Sequence, residues 1–252
     1  SGALRDGWFG PEQAHDLALH LGRKLLSRPG ERLTTTLDGA LQRLAADSLE
    51  RHLGDLWQQH VADGAVLVVD NASGEILAWV GSSGKSSTAA EVDGATALRQ
   101  AGSTLKPFLY GLAFERRYLT PASLLDDSPL AIATAGGLYM PQNYSPDYRG
   151  WVSARQALAG SLNVPAVRTL VRLGPNAFFD RLQSFGFRSL REDGDYYGYS
   201  LALGSADVSL LMLANAYRTL ANGGTWSPLK VTADHRPPCR EGGCSGLFGG
   251  PP

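Results

Sequence analysis

The sequence predicts an α+β fold: an antiparallel sheet flanked by helices, with a mainly helical subdomain. Residues 65–80 read as a β-hairpin, two β-branched runs around the turn Asn71-Ala72-Ser73-Gly74. A block of capped, amphipathic helical segments then follows with no strand–helix–strand alternation, which argues against a parallel sheet. The length of 252 residues, with 43% hydrophobic and 19% charged, suits one large domain or a domain with a smaller appendage.

Taken in order, residues 11–26 place Ala14, Leu17, Ala18, Leu21 and Leu25 at roughly helical spacing before Pro29-Gly30 ends the segment. It reads as part of a linker, residues 1–36, ahead of the main domain at residues 37–252. Asp38 caps a helix whose Leu41, Leu44, Ala45, Leu49, Leu53 and Leu56 form an apolar stripe, and the hairpin that follows is the surface it should cover. Residues 81–91 turn to Gly, Ser, Ala and Thr, the composition of a loop. Residues 104–117 are predicted helical. Ser153 with Gln156 forms a capping box that opens a second helix, stopped by Gly160. Residues 164–172 make a third, with Pro165 near its start and Gly174 after its end. Residues 207–221 make a fourth, capped by Asp207, with Leu210, Leu211, Leu213, Ala214 and Tyr217 facing inward.

A formal net charge of -1 gives no broad cationic surface, so nucleic acid is set aside as a partner. No apolar run approaches the ~20 residues of a membrane-spanning helix. The two cysteines, Cys239 and Cys244, follow His235 in a Pro/Gly-rich tail. A small-loop disulfide, two free thiols and half a metal site stay open there, but structural zinc takes four ligands, so neither metal nor cofactor is expected.

Three of the four lysines have a serine three positions back: Ser82/Lys85, Ser103/Lys106 and Ser227/Lys230. The first lies in the Gly/Ser loop and the last in an irregular segment, so both read as solvated surface pairs. Ser103/Lys106 sits between Gly102 and an apolar helix, where unpaired N–H groups make the local potential positive. Residues three apart share a helix face, which puts the Lys106 amine beside the Ser103 hydroxyl as nucleophile and base. A lysine works as a base only when neutral, and no carboxylate occurs between Asp93 and Glu115 to hold its proton. A second element, Ser161-Leu162-Asn163, falls between the second and third helices, where a short loop can present a hydroxyl and an amide inward.

Residues 99–108, Arg-Gln-Ala-Gly-Ser-Thr-Leu-Lys-Pro-Phe, resemble the nucleophile motif of class A penicillin-binding proteins, and Ser161-Leu162-Asn163 resembles their second motif. Residues 34–38, 64–80 and 203–224 resemble the lead-in, first hairpin and late helix of the same transpeptidase domain. The resemblance implies a serine β-lactamase/DD-transpeptidase-like fold and an acyl-enzyme on Ser103. It makes Lys106 the proton acceptor, Ser161 the relay to the leaving amine and Asn163 the residue that orients the stem-peptide amide. Peptidoglycan stem peptides and β-lactams are the implied partners, in a periplasmic setting with a membrane tether upstream; that oxidising compartment favours a Cys239–Cys244 disulfide.

The family's third motif, Lys-Thr-Gly or Lys-Ser-Gly on a strand after the late helix, is not found: Lys230 is the last lysine and Val231 follows it. Only two strands of a five-stranded sheet are identified, so the domain is expected to be incomplete, its remaining strands supplied by another piece or lost. No residue is assigned to glycan polymerisation. Two alternatives stand beside the transpeptidase. One is a non-catalytic scaffold or inactive fragment. The other is a serine β-lactamase, which needs a base for deacylating water that no Glu-bearing loop after Asn163 offers.

Overall fold

The computed structural model describes residues 17–84 and 87–232. Their helices and strands begin with α1 (Leu19–Leu25), α2 (Gly39–Asp55), β1 (Val66–Val69), β2 (Ile76–Val80) and β3 (Arg99–Gln100). A 3-10 turn, Gly102–Leu105, runs into α3 (Lys106–Glu115), followed by β4 (Leu124–Asp127), β5 (Ile132–Thr134), β6 (Gly137–Tyr139) and β7 (Gly150–Ser153). Then come α4 (Ala154–Ala159), α5 (Asn163–Leu173), α6 (Pro175–Ser184), α7 (Gly194–Tyr197), β8 (Asp207–Val208) and α8 (Leu210–Ala221). The mixture is α+β as expected. The chain divides into two units, one of residues up to Ala97 and from Ser209 onward, the other Leu98–Val208.

In the first unit Asp38 caps α2 as predicted, its carboxylate accepting from the N–H groups of Ala40 and Leu41 at 2.8 and 2.9 Å. Most of the α2 stripe meets the hairpin: Ala45, Ala78 and Val80 are buried together, with Leu41, Leu49, Val66 and Val68 packed around them, but Leu44, expected in the stripe, is exposed. Strands β1 and β2 pair antiparallel, Val66 opposite Val80, with a bulge between Val68 and Val69. Gln42 completes the edge of β2, donating to Trp79 O at 2.8 Å and accepting from Trp79 N at 2.7 Å. A helix side chain thus stands where a neighbouring strand would otherwise pair. Leu21, Ile76, Trp79, Ala95, Leu211, Leu229 and Val231 form the other apolar cluster of this unit. Each such residue fully buried contributes roughly 1.5–3 kcal/mol of transfer free energy.

Four expectations are revised here. Helix α8 begins at Leu210 and is capped by Ser209, whose hydroxyl accepts from Met212 N at 3.2 Å; Asp207 lies in β8 instead. Both residues are good caps two positions apart, and Asp207 is held extended by pairing with Gln100. The buried face of α8 is Leu211, Asn215, Ala216, Arg218 and Thr219, while Tyr217 is exposed. The residues around Ser227/Lys230 are not merely solvated: Lys230 N donates to Gly74 O and its carbonyl accepts from Ile76 N, both at 2.8 Å. Of the helix predicted at residues 11–26, only Leu19–Leu25 is found, and residues 11–16 lie outside the described ones.

In the second unit Phe108 stands edge-on to Phe185 and Phe187, with ring centroids 5.1 and 5.7 Å away. Leu105, Leu109, Val167, Leu170, Phe178, Leu182 and Leu201 fill the core around them. Three two-stranded ladders that the sequence did not suggest, β3–β8, β4–β7 and β5–β6, tie its loops together. The capping box at Ser153 is formed on α4, and α6 and α7 are additions to the predicted helices.

Candidate functional site

Ser103 stands on a turn rather than at the start of an α-helix. Pro107 has no N–H to give to the Ser103 carbonyl four residues back, so that carbonyl takes the Lys106 N–H, three residues on, and the turn tightens to 3-10. In that geometry residues three apart eclipse one another, which puts Ser103 and Lys106 on one side of the chain more strictly than an α-helix does. Ser103 is exposed, whereas Lys106 is only 1% exposed. The turn is entered through Gly102, at φ 59, whose N–H donates to Gly204 O at 3.0 Å. Below it Ala101 N donates to Ala206 O, and β3 pairs with β8.

Ser161 ends helix α4. Gly160 caps that helix as expected, at an ordinary φ of -85, and the left-handed residue is Ser161, at φ 51. Ser161 N donates to Leu158 O and Leu162 N to Ala157 O, the two bonds of a Schellman closure. Glycine is the usual occupant of that position, and a side chain there costs about 1–2 kcal/mol.

The Lys106 amine joins the two elements. It donates to Ser161 O at 2.6 Å, to Asn163 Oδ1 at 2.7 Å and to Ser161 Oγ at 3.2 Å. All three N–H groups of the ammonium are thereby occupied by the Ser161–Asn163 segment, and none is left for Ser103. The sequence offered nothing to hold a proton on Lys106; tertiary contacts supply three acceptors. Burial nevertheless pushes the amine down to about 8 from its ordinary value of 10.5, because no carboxylate is among its partners. Such a group changes charge near neutrality.

Three residues that the sequence did not single out hold Asn163. Gln142 O accepts from its Nδ2 at 2.8 Å, and Asn143 Oδ1 accepts from its backbone N–H at 2.9 Å. Asn143 is held in turn by Asp127, a carboxylate with no exposed surface. The available signal was the polar run Gln142-Asn143 in a segment without periodicity, which names no partner. The other serine–lysine pairs form no comparable site: Ser227 Oγ accepts from Arg218, and Lys85 lies outside the described residues, as do His235, Cys239 and Cys244. Among the described residues no group of His, Cys, Asp and Glu has the arrangement of a metal site, and no helix is long and apolar enough to cross a membrane.

Comparison with known proteins sets this site in a family. Residues 64–240 match the penicillin binding protein transpeptidase domain. Penicillin-binding protein 1C of Escherichia coli K12 is 35% identical over 230 residues, 90% of this chain and 29% of the relative. Penicillin-binding protein 1A of the same organism is 34% identical over 232 residues, 85% of this chain and 27% of the relative. Among solved structures, penicillin-binding protein 1A from Haemophilus influenzae aligns with a TM-score of 0.62 at 32% identity, over 68% of this chain and 25% of that one. PonA1 from Mycobacterium tuberculosis, solved in complex with penicillin V, aligns with a TM-score of 0.65 at 25% identity, over 81% of this chain and 56% of that one. The chain spans less than a third of the length of these two curated relatives. With the matched region containing both the Ser103 turn and the Ser161–Asn163 segment, the chain belongs to the penicillin-binding protein transpeptidase family.

Proposed function

We propose that this chain carries the acylation site of a peptidoglycan DD-transpeptidase, with Ser103 as nucleophile. The observation that carries the reading is the buried Lys106 amine, one 3-10 turn from Ser103 and hydrogen-bonded to both Ser161 and Asn163. At pH 7 about a tenth of an amine titrating near 8 is neutral, enough to serve as a base. On losing its third proton Lys106 keeps two donors for its two shorter contacts, at Ser161 O and Asn163 Oδ1, and gains a lone pair. That lone pair takes the Ser103 proton as the Ser103 oxygen bonds to the penultimate D-alanine carbonyl carbon of a stem peptide.

Collapse of the adduct breaks the bond to the terminal D-alanine nitrogen. The proton needed by that leaving amine travels from Lys106 through Ser161 Oγ, 3.2 Å away, while Asn163 orients the substrate amide. An amine of a neighbouring stem then attacks the acyl-enzyme carbonyl and releases Ser103, completing a cross-link. A β-lactam enters by the same first step, its ring amide standing in for the D-Ala-D-Ala bond. The reading places the site in the periplasm, on a protein tethered to the cytoplasmic membrane.

The test is incubation of the intact protein with a fluorescent penicillin, followed by peptide mapping. A stable adduct on Ser103, lost in Ser103→Ala, is the expected result; an adduct elsewhere, or none, overturns the assignment. Rapid turnover of a chromogenic β-lactam in place of a stable adduct would point to a β-lactamase.

A further inference from the structure

We infer that Asp127 and Asn143 are positioning residues for acylation, acting through Asn163 to fix the acceptor geometry around Lys106; the inference rests on the acylation reading above. Helix α5 starts at Asn163, and its preceding residue, Leu162, brings no side-chain cap to the unpaired N–H groups there. Asn143, twenty residues upstream, supplies that cap: its Oδ1 accepts from Asn163 N at 2.9 Å and from Val164 N at 3.3 Å. A cap from the same strand of chain would be set by local geometry. One from a distant segment fixes where the helix start lies relative to that segment.

The amide of Asn143 has only one orientation that fits. Its Nδ2 donates to both carboxylate oxygens of Asp127, at 2.8 and 3.1 Å, so Oδ1 must face α5. Asp127 ends β4 opposite Gly150 of β7, is fully buried, and also accepts from Arg149 N at 3.0 Å. Its acceptors are thus satisfied by one amide and one backbone N–H, with no basic side chain among these partners. The neighbouring residue in the same run, Gln142, uses its carbonyl to take Asn163 Nδ2 at 2.8 Å. Asn163 is then held at its backbone and at its amide nitrogen, which leaves Oδ1 aimed at Lys106 Nζ, 2.7 Å away. Nothing in the Asp127–Asn143 pair touches Lys106 in the contacts of the amine. Its effect reaches the base only by way of Asn163, whose misplacement by about 1 Å is enough to cost on the order of 10²-fold in rate.

The measurement is the time course of labelling by a fluorescent penicillin, which separates the amplitude, the fraction of competent sites, from the limiting rate constant of each site. A merely structural role lowers the amplitude and the thermal midpoint and leaves the rate constant alone. Positioning predicts a fall of about 10²-fold in the rate constant at the sites that do label, in Asn143→Ala and in Asp127→Asn. The exchanged double variant, Asp127→Asn with Asn143→Asp, keeps a donor facing an acceptor and an oxygen facing α5, and is expected to recover most of that loss. Single variants that label at the wild-type rate constant overturn the inference, and so does a double variant no faster than the singles. Failure of the wild-type protein to label at Ser103 instead removes the acylation reading, a different result from these.

Discussion

Each of the two units buries a cation without a carboxylate in hydrogen-bond contact, and the two do opposite things. Arg218, 4% exposed on α8, donates to Asn71 O at 2.9 Å, Asn215 Oδ1 at 3.2 Å, Ser227 O at 3.1 Å and Ser227 Oγ at 2.8 Å. Lys106 is surrounded by the same kinds of group, a backbone carbonyl, a serine hydroxyl and an asparagine amide. Burial lowers the proton affinity of both. A guanidinium cannot lose its proton in water's working range, so the environment around Arg218 makes a clamp on the hairpin turn. An amine can, so on the proposed reading a similar environment lets Lys106 serve as a base. The difference lies in the side chain and in Asp70, whose charge acts on Arg218 and has no counterpart at Lys106.

That contrast is sharpest if the base is exchanged for a clamp. Lys106→Arg should reduce the rate constant of penicillin acylation by 10³-fold or more, roughly 4 kcal/mol of transition-state stabilisation, since a guanidinium does not accept the Ser103 proton. Stopped-flow labelling checks this, and a variant within tenfold of wild type would break the comparison. The reverse defect is expected at the clamp. Arg218→Ala should lose about 3 kcal/mol of stability in urea unfolding, because Asn215 Oδ1 and Ser227 Oγ lose the donor Arg218 supplies and Asn71 O and Ser227 O keep only the amides of Asn222 and Asn215, with the acylation rate constant of the folded protein unchanged. The pH dependence is smallest per step. Acylation should rise about tenfold per pH unit toward pH 8 and level above it, a profile that steady fluorescent labelling between pH 5 and 10 would trace. For stability the sign is fixed by a folded value of about 8 below the ordinary 10.5. The unfolded chain binds the extra proton between those values, so stability rises with pH through that window, by up to about 3 kcal/mol from this group. Lys106→Met should lose that rise.

What could be read from the sequence was local. Asp38 and the Ser153/Gln156 box announce their helices within four residues, and the hairpin is written in β-branched runs around one turn. Ser103, Lys106, Ser161 and Asn163 were each identified by spacing within their own motif, and the structure brings Lys106, Ser161 and Asn163 together. What was missed depends on partners far along the chain. Asn143 caps a helix twenty residues away, and the two-residue ladder β3–β8 joins segments a hundred residues apart and is too short for any alternation. Arg218 was not singled out, because its acceptors Asn71 and Ser227 lie in a turn and an irregular segment far along the chain from each other. The missing N–H of Pro107 sets the kind of turn on which Ser103 stands, an effect that the motif's spacing does not announce.

The backbone approach at Gly204 has a consequence for how this site can vary. A methyl group placed on its Cα would lie 1.9 Å from the carbonyl oxygen of Gly102, with φ already at +74. No side-chain rearrangement relieves an overlap with the main chain, so alanine at 204 would have to push the Gly102 loop aside and carry Ser103 with it. On the proposed reading, acylation by a β-lactam therefore depends on a position that does not meet the drug, because it sets the platform under Ser103.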